Sequence, residues 1–327
     1  MNLKKIGLTA LAGSLVATSV FAGEMTVTGS ASMKVEHVNG GAANSGKSFS
    51  MGNQITFAGS GELDNGLNVA LSFTIDESDG DTTASSGAVN GSIFDGHSVT
   101  VSSDALGSLK FSGEGGSSAQ SAIDTTAAGD LWDSGFGITA AQDPKASAMG
   151  DNGLFYTLPS MVDGLTVTAS YNPSGALENS STSFALAYTG VDGLAVMYGV
   201  GEDDTLTGSS ADVDTLKATY AYGPITVGYS TTEFDSENTA VDGDQEVESM
   251  NVSYTVSENI SVSYGTETIS EPMDTDDQDI KVTGIVASYT SGGMTITGKM
   301  ADADNTDMTT STTADKQHWS LVAAFAF

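Results

Sequence analysis

From Glu24 onward the chain alternates. In "LTVTASYN", Leu165–Asn172, apolar side chains stand at Leu165, Val167, Ala169 and Tyr171, with small polar groups between them. A strict period of two marks a strand with two unlike faces. The same period recurs over residues 25–35, 55–63, 67–75, 99–101, 109–111, 154–156, 184–188 and 194–200. It returns at 216–222, 225–229, 250–254, 260–264, 285–289, 294–298 and 319–327, and the expectation is an all-β protein of 16 strands. Short connections such as Asp64-Asn65-Gly66, a strong tight-turn signal, alternate with long acidic ones such as "GEDDTLTGSSADVD", "EFDSENTAVDGDQEVE" and "ADADNTDMTTSTTADK". The longest stretch without alternation is 114–150.

A soluble β-sandwich also alternates, but its turns are not sorted so regularly into short and long. A parallel β-solenoid needs a fixed repeat, and these intervals are irregular. The polar phase here is small, hydroxylated and dotted with lysine, as at Thr166, Thr168, Ser170, Lys34 and Lys110. A transmembrane antiparallel up-and-down barrel, wet inside and apolar outside, fits both features. All ten tyrosines fall in the apolar phase, and they sort to strand ends. Tyr156, Tyr188, Tyr220, Tyr222, Tyr254 and Tyr289 lie near short turns; Tyr171, Tyr198, Tyr229 and Tyr264 lie towards long connections. Strand propensity explains tyrosine in strands but not this sorting, whereas two aromatic girdles at the edges of a bilayer do.

Residues 1–22 read differently. Lys4 and Lys5 precede an apolar run, and Val20-Phe21-Ala22 offers small residues for cleavage, which is the pattern of a secretory signal peptide. The run is too short to cross about 30 Å of hydrocarbon as a helix. Residues 23–327 form the barrel domain on this reading. The whole chain carries a net charge of −32, all ten bases are lysine, and cysteine is absent. Such a balance argues against a nucleic-acid partner, and the lack of cysteine excludes disulfides and thiolate metal sites.

The signal pattern followed by "GEMTVTGSASMKVE", then "ALGSLKFSGEGG", "NGLFYTLPSMVDGLTVTASYN" and the terminal "WSLVAAFAF", resembles the general porin family of Gram-negative outer membranes, in particular its alphaproteobacterial members. The resemblance spans the whole chain. It implies a homotrimer of 16-stranded antiparallel barrels in outer-membrane lipid, each with its third outer loop, about 114–150, folded into the lumen. It also implies that Phe327 ends an insertion signal, and that small hydrophilic solutes and ions are what passes.

The candidate chemistry is electrostatic, since pores select ions by charged side chains at a constriction. The third loop supplies Glu114, Asp124, Asp130, Asp133 and Asp143, with Lys145 as its only base; parity points Lys34, Lys110, Lys217 and Lys299 inward across the lumen. Porins oppose loop acids to wall arginines, and this chain has none. Lysine cannot fork bidentately as guanidinium does, so the wall cluster is expected to be thinner. A modest preference for cations is expected. Acid clusters at Asp76-Glu77-Asp79-Asp81, Asp274-Asp276-Asp277-Asp279 and Asp302-Asp304-Asp307 offer oxygen ligands to Ca²⁺ or Mg²⁺, or serve simply as solvated loops. No other cofactor is expected. His97-Ser98 has no triad spacing, "GEGGSS" lacks a P-loop lysine, and no enzyme is expected. The alternative reading, from another functional class, is an exported acidic β-rich surface or adhesion protein.

Overall fold

A strand whose two faces meet different solvents needs both of its edges paired, and in hydrocarbon an unpaired edge is prohibitively costly. The computed structural model describes residues 23–40, 46–76, 94–138, 142–147, 151–173, 180–202, 210–236, 243–271, 278–308 and 315–327. The proposed signal segment and the acids Glu77, Asp79, Asp81, Asp274, Asp276 and Asp277 lie outside the described residues. Sixteen strands follow in chain order: β1 (Glu24–Asn39), β2 (Gly46–Glu62), β3 (Asn68–Asp76), β4 (Phe94–Ser103), β5 (Gly107–Glu114), β6 (Gly153–Thr157), β7 (Leu165–Asn172) and β8 (Ser181–Val191). The second half comprises β9 (Leu194–Glu202), β10 (Ala211–Tyr222), β11 (Ile225–Ser236), β12 (Gln245–Ser257), β13 (Ile260–Ser270), β14 (Ile280–Ser291), β15 (Met294–Asp304) and β16 (Lys316–Ala326). Each pairs antiparallel with its sequence neighbours, and β1 pairs with β16 to close the barrel. Among the described residues there is no helix.

The closing seam is finished by the last residue. Gly29 N–H donates to the Phe327 carbonyl at 2.7 Å, and Phe327 N–H donates back to the Gly29 carbonyl at 2.9 Å. The Phe327 ring lies over Gly29, where an added Cβ would come within 2.5 Å of a ring carbon. Glycine is thus required there for close approach rather than for backbone freedom.

All sixteen expected strands are present, but most run further towards the long connections than the alternation indicates. β10 starts at Ala211 rather than 216, β11 continues to Ser236 rather than 229, and β13 continues to Ser270 rather than 264. The reason is a reversal of phase. Along β10, Leu216, Ala218 and Tyr220 share the outward face, and Asp212 and Asp214 continue that same parity, while Ala211 and Val213 are buried inside. β12 does the same, with Glu246 and Glu248 outward and Val247 buried inward. Phe234, Ile269, Ile280, Val282, Ala301 and Ala303 complete an apolar upper interior. Above the lipid-facing band the sheet therefore behaves like that of a soluble protein, apolar inward and charged outward. Several residues in the quoted acidic connections belong to these upper strand ends, for example Asp212, Glu233, Glu246 and Asp302.

The outward apolar band is not equally tall around the barrel. On β1 it runs from Met25 through Val27, Ala31 and Met33 to Val35, and on β2 from Phe57 through Ile55 and Met51 to Phe49. On β11 it covers only Ile225, Val227 and Tyr229 before Thr231 and Glu233 take over. Phe57 and Phe73 stack across β2 and β3 with ring centroids 5.0 Å apart.

Replacing Gly29 by valine should lift the Phe327 ring from the seam. Overpacking at a filled contact costs about 1–3 kcal/mol, so the urea midpoint of the detergent-refolded barrel should fall, as read by its heat-modifiable gel mobility. Gly298→Val, at a site with no atom within 4 Å of the added Cβ, should leave the midpoint unchanged.

Candidate functional site

The connection between β5 and β6 enters the barrel, where it has no strand to pair with. Its backbone polar groups must find partners on the wall or be left buried and unsatisfied. The wall supplies them from side chains on successive strands. Ala119 N–H donates to Ser170 Oγ at 3.0 Å and Ser183 Oγ at 2.8 Å, and the amides of Ala127 and Ala128 share Ser249 Oγ at 3.0 and 2.9 Å. The Glu267 carboxylate, 1% exposed, accepts from Leu131 N–H at 3.0 Å and Trp132 N–H at 2.8 Å, one oxygen each. Ser230 Oγ donates to the Thr125 carbonyl at 2.9 Å, Lys217 Nζ to the Thr126 carbonyl at 2.8 Å, and Lys316 Nζ to the Phe136 carbonyl. The returning limb is held where Gln245 Oε1 accepts Lys145 N–H at 2.9 Å and Gln120 Oε1 accepts Ser147 N–H at 2.7 Å.

Space for the loop comes from side chains the wall lacks. An added Cβ at Gly199 would lie 3.1 Å from Gln120 Cα, at Gly265 2.5 Å from Ala128 Cβ, and at Gly284 2.9 Å from a Leu131 methyl. These inward glycines form a shallow trough in which the loop backbone lies. Past the trough, Leu131 and Phe136 complete an apolar cluster with Val247, Ile269, Ile280, Val282, Ala301, Ala303 and Met308. The loop is thus fixed by hydrogen bonds along its length and by hydrophobic burial near its tip.

This docking sorts the charges expected at the site. Asp124 and Lys217 are consumed by each other at 2.8 Å, and Lys217 faces the loop rather than open lumen. Lys145 reaches the Gly243 carbonyl at 3.1 Å and lies 4.9 Å above the Phe234 ring. Asp130 and Asp133 are exposed; the Asp130 carboxylate is oriented by the Thr126 hydroxyl at 2.9 Å and the Trp132 indole at 3.3 Å. Their charges bear on Lys299, which also senses Lys34 and Glu267. Lys34 pairs with Glu36 at 2.5 Å. Lys110 and Glu114 line a recess of about 250 Å³ with Ser72, Thr74 and Ser98, and Lys110 makes no ion pair among the described residues. Burial, reinforced by the charge of Asp133, pushes the Asp143 carboxyl above the usual aspartate range.

The structure therefore brings Lys34, Lys299, Asp130 and Asp133 within electrostatic reach of one another, sets Lys110 and Glu114 apart at the recess, and ties Lys217 to the exposed Asp124. Sequence reading missed Glu36, Glu267, His318 and Lys316, all of them inward and tied to the loop or its surroundings. Their parity was legible in β1, β13 and β16, but all lie in the upper parts of these strands, beyond the alternating stretch. The tyrosines occupy the outward positions expected of them, and many, including Tyr171, Tyr188, Tyr220, Tyr254 and Tyr289, are exposed. Among the described residues, no group of three or more histidines or acids converges to hold a metal ion, and Asp302, Asp304 and Asp307 form no such group.

A family model of Gram-negative porins matches residues 7–308. Solved structures of the same fold include an anion-selective porin from Comamonas acidovorans, 16% identical with a TM-score of 0.70, the alignment covering 93% of this chain and all of that one. A porin refined at 1.8 Å resolution is 22% identical, with a TM-score of 0.66 over 93% of this chain and all of the other. A form of OmpT from Vibrio cholerae lacking loop L8 is 16% identical, with a TM-score of 0.69 over 94% of this chain and all of that protein. At such identities the structures attest the fold alone. No curated protein matches.

Filling the trough should dislodge the loop. In Gly265→Val, hydrogen exchange of the segment around Ala127, Ala128, Leu131 and Trp132 should rise by about tenfold or more, as expected when buried amide contacts are opened locally. Gly298→Val, with open space around the same change, should leave that exchange at the wild-type rate.

Proposed function

The chain belongs to the family of Gram-negative porins, and on that premise we propose that it forms a water-filled outer-membrane channel for passive diffusion of ions and small hydrophilic solutes, with a modest preference for cations. One observation carries the reading: a closed barrel holds a docked inner loop that presents Asp130 and Asp133 opposite Lys34 and Lys299. Nothing in this arrangement calls for catalysis, and the reading is of a channel rather than an enzyme. An adhesion protein without a pore has no use for a hydroxylated, charged lumen.

The sign of the selectivity follows from which charges remain free. Lys217 is neutralised by Asp124, Lys34 by Glu36, and Lys145 is engaged at the wall; Lys110 and Lys299 make no ion pair among the described residues and offset the exposed Asp130 and Asp133, so the acids at the two mouths decide the sign. The upper rim adds outward acids at Glu202, Asp212, Asp214, Glu233, Asp235, Glu246 and Glu248. The short turns contribute Asp64, Asp104, Asp163, Asp192 and Glu258. Both mouths thus attract cations before the constriction is reached. The porin from Comamonas acidovorans is anion-selective; the absence of arginine from the present chain is the clearest ground for expecting the opposite sign. Divalent cations bound on the outer acids would cancel part of that charge and weaken the preference, and residues 1–22 fit a signal peptide removed on export.

We assign the contacts of the trimer that the family resemblance implies to one arc of the wall, from β15 and β16 through β1 to β5. That arc has no tyrosine, and its outward positions include Ala31, Gly59 and Gly61, which allow close approach. The upper outward positions of β1, β2 and β16 are His37, Asn39, Lys47, Phe49 and Gln317, without an acid among them.

In planar bilayers under a KCl gradient, the reversal potential should have the cation-selective sign. The preference should shrink at molar salt, because the Debye length falls from about 10 Å at 0.1 M to about 3 Å at 1 M. Asp133→Asn should move the permeability ratio towards unity; an anion-selective wild type would contradict the reading. Single cysteines at Ala31, Phe57 or Phe73 should crosslink between subunits and resist lipid-phase thiol reagents. Cysteines at Val167 or Val227 should label freely, and equal labelling of both sets would rule out the arc.

A further inference from the structure

The tip of the third loop rests on a buried histidine. The side chain of His318 has no exposed surface, and its Nε2 lies 3.1 Å from Glu36 Oε2. Its Nδ1 is buried and has no hydrogen-bond partner. The Phe136 ring stands edge-on to the imidazole, with centroids 6.0 Å apart and planes at 71°. Ser134, two residues before Phe136 in the loop, is also buried, with its own hydroxyl unpartnered. Gly135 and Gly137 flank Phe136 with φ of 71° and 72°, so the aromatic ring sits between two pivots that a side chain would stiffen.

Which tautomer this arrangement requires is clear. With Glu36 accepting from Nε2–H, Nδ1 carries no proton in the docked state, and its lone pair is buried without a hydrogen-bond partner. A proton on Nδ1 would create a buried donor without an acceptor, which costs about 1–3 kcal/mol before any charge is counted. Charge makes it worse. Lys34 comes from β1 and already pairs with Glu36, Lys299 faces the imidazole from β15, and Lys316 stands two residues away on β16. Glu36 is the one carboxylate in contact with the ring, and Asp133 in the loop acts on Lys299 from the far side. When the tip lifts, water reaches Nδ1 and the penalty vanishes.

We propose that His318 is a proton-operated catch for the third loop: protonation at Nδ1 releases Phe136 from the wall and lets the tip move into the lumen, narrowing the channel. The direction follows from volume, since the wall blocks outward movement and the lumen is the free space. Neighbouring anchors at Glu267 and Ser249 hold the loop upstream, so the movement is confined to the segment beyond Trp132, where the bond from Lys316 to the Phe136 carbonyl gives way with the ring. The catch rests on the channel reading given above.

The test compares single-channel conductance of the full chain at pH 7.5 and 5.5, values that bracket the ordinary imidazole pKa of about 6.5. Molar KCl suppresses changes in surface charge. Conductance of the wild type should fall by about twofold or break into long partial closures at the lower pH, as a constriction by one aromatic side chain would produce. His318→Gln, which keeps a donor for Glu36 and cannot take up a proton, should conduct equally at both. Phe136→Ala, which removes the constricting ring, should lose the fall in conductance at pH 5.5. Asp143→Asn removes the other loop group displaced towards this range and should respond to acid as the wild type does. A measurement independent of variant folding is hydrogen exchange of the wild-type peptide spanning Ser134 to Ile138, which should lose protection at pH 5.5 after correction for the intrinsic rate. A wild-type channel insensitive to pH, or a His318→Gln variant with an undiminished response, overturns the catch alone. Absence of any channel at pH 7.5 overturns the catch and the channel reading together.

Discussion

A β-sheet in hydrocarbon cannot leave an edge unpaired, and everything in this molecule follows from the closure that this demands. The pairing of β1 with β16 joins the two ends of the chain, so the last residue must arrive in register with the first strand. Phe327 does so through two backbone hydrogen bonds to Gly29. Closure also fixes the interior. A sheet with strict alternation that presents apolar groups outward has only its polar phase left for the lumen, and the lumen is therefore lined with serine, threonine and lysine.

Those hydroxyls do more than tolerate water. A loop brought inside the barrel needs partners for its backbone, and Ser170, Ser183, Ser230 and Ser249 supply them at positions where a larger side chain would exclude the loop. Glu267 does the same with a charged group, and the two amides it receives are adjacent in the loop. The Asp130 carboxylate that faces the lumen is oriented by Thr126 and Trp132 of the loop, and the loop in turn is held by the wall. The site is thus a property of two surfaces in contact, and neither the loop nor the wall specifies it alone.

This explains what the sequence made legible and what it did not. The strands were readable because lipid on one side and water on the other impose a period of two, and the sorted tyrosines gave the orientation. The upper parts of β10 to β15 were not, because above the lipid the same strands reverse their phase; Asp212 and Glu246 look like loop residues until their inward neighbours Ala211 and Val247 are seen buried. Asp130 and Asp133 were identifiable as loop acids, yet nothing local distinguishes them from Asp124, whose charge Lys217 cancels from 93 residues away in sequence. Nothing in the sequence around His318 marks it. Its significance depends on Phe136, 182 residues earlier, and on Glu36 at the other end of the chain.

The unequal height of the apolar band has a consequence for the surrounding bilayer. At about 3.3 Å per residue along a strand tilted by about 40°, the apolar positions from Ile225 to Tyr229 span far less of the membrane normal than those from Phe49 to Phe57 or Met25 to Val35. A lipid annulus of one thickness cannot match both sides, and the mismatch carries a cost for every ångström. Lipid fitted to the short side would leave the upper part of the tall side facing water. A rigid apolar surface of matching height removes that conflict, and a second copy of the same barrel has one. On this argument, bilayer thickness itself would tune how tightly the subunits hold together, with thinner membranes favouring the closer assembly.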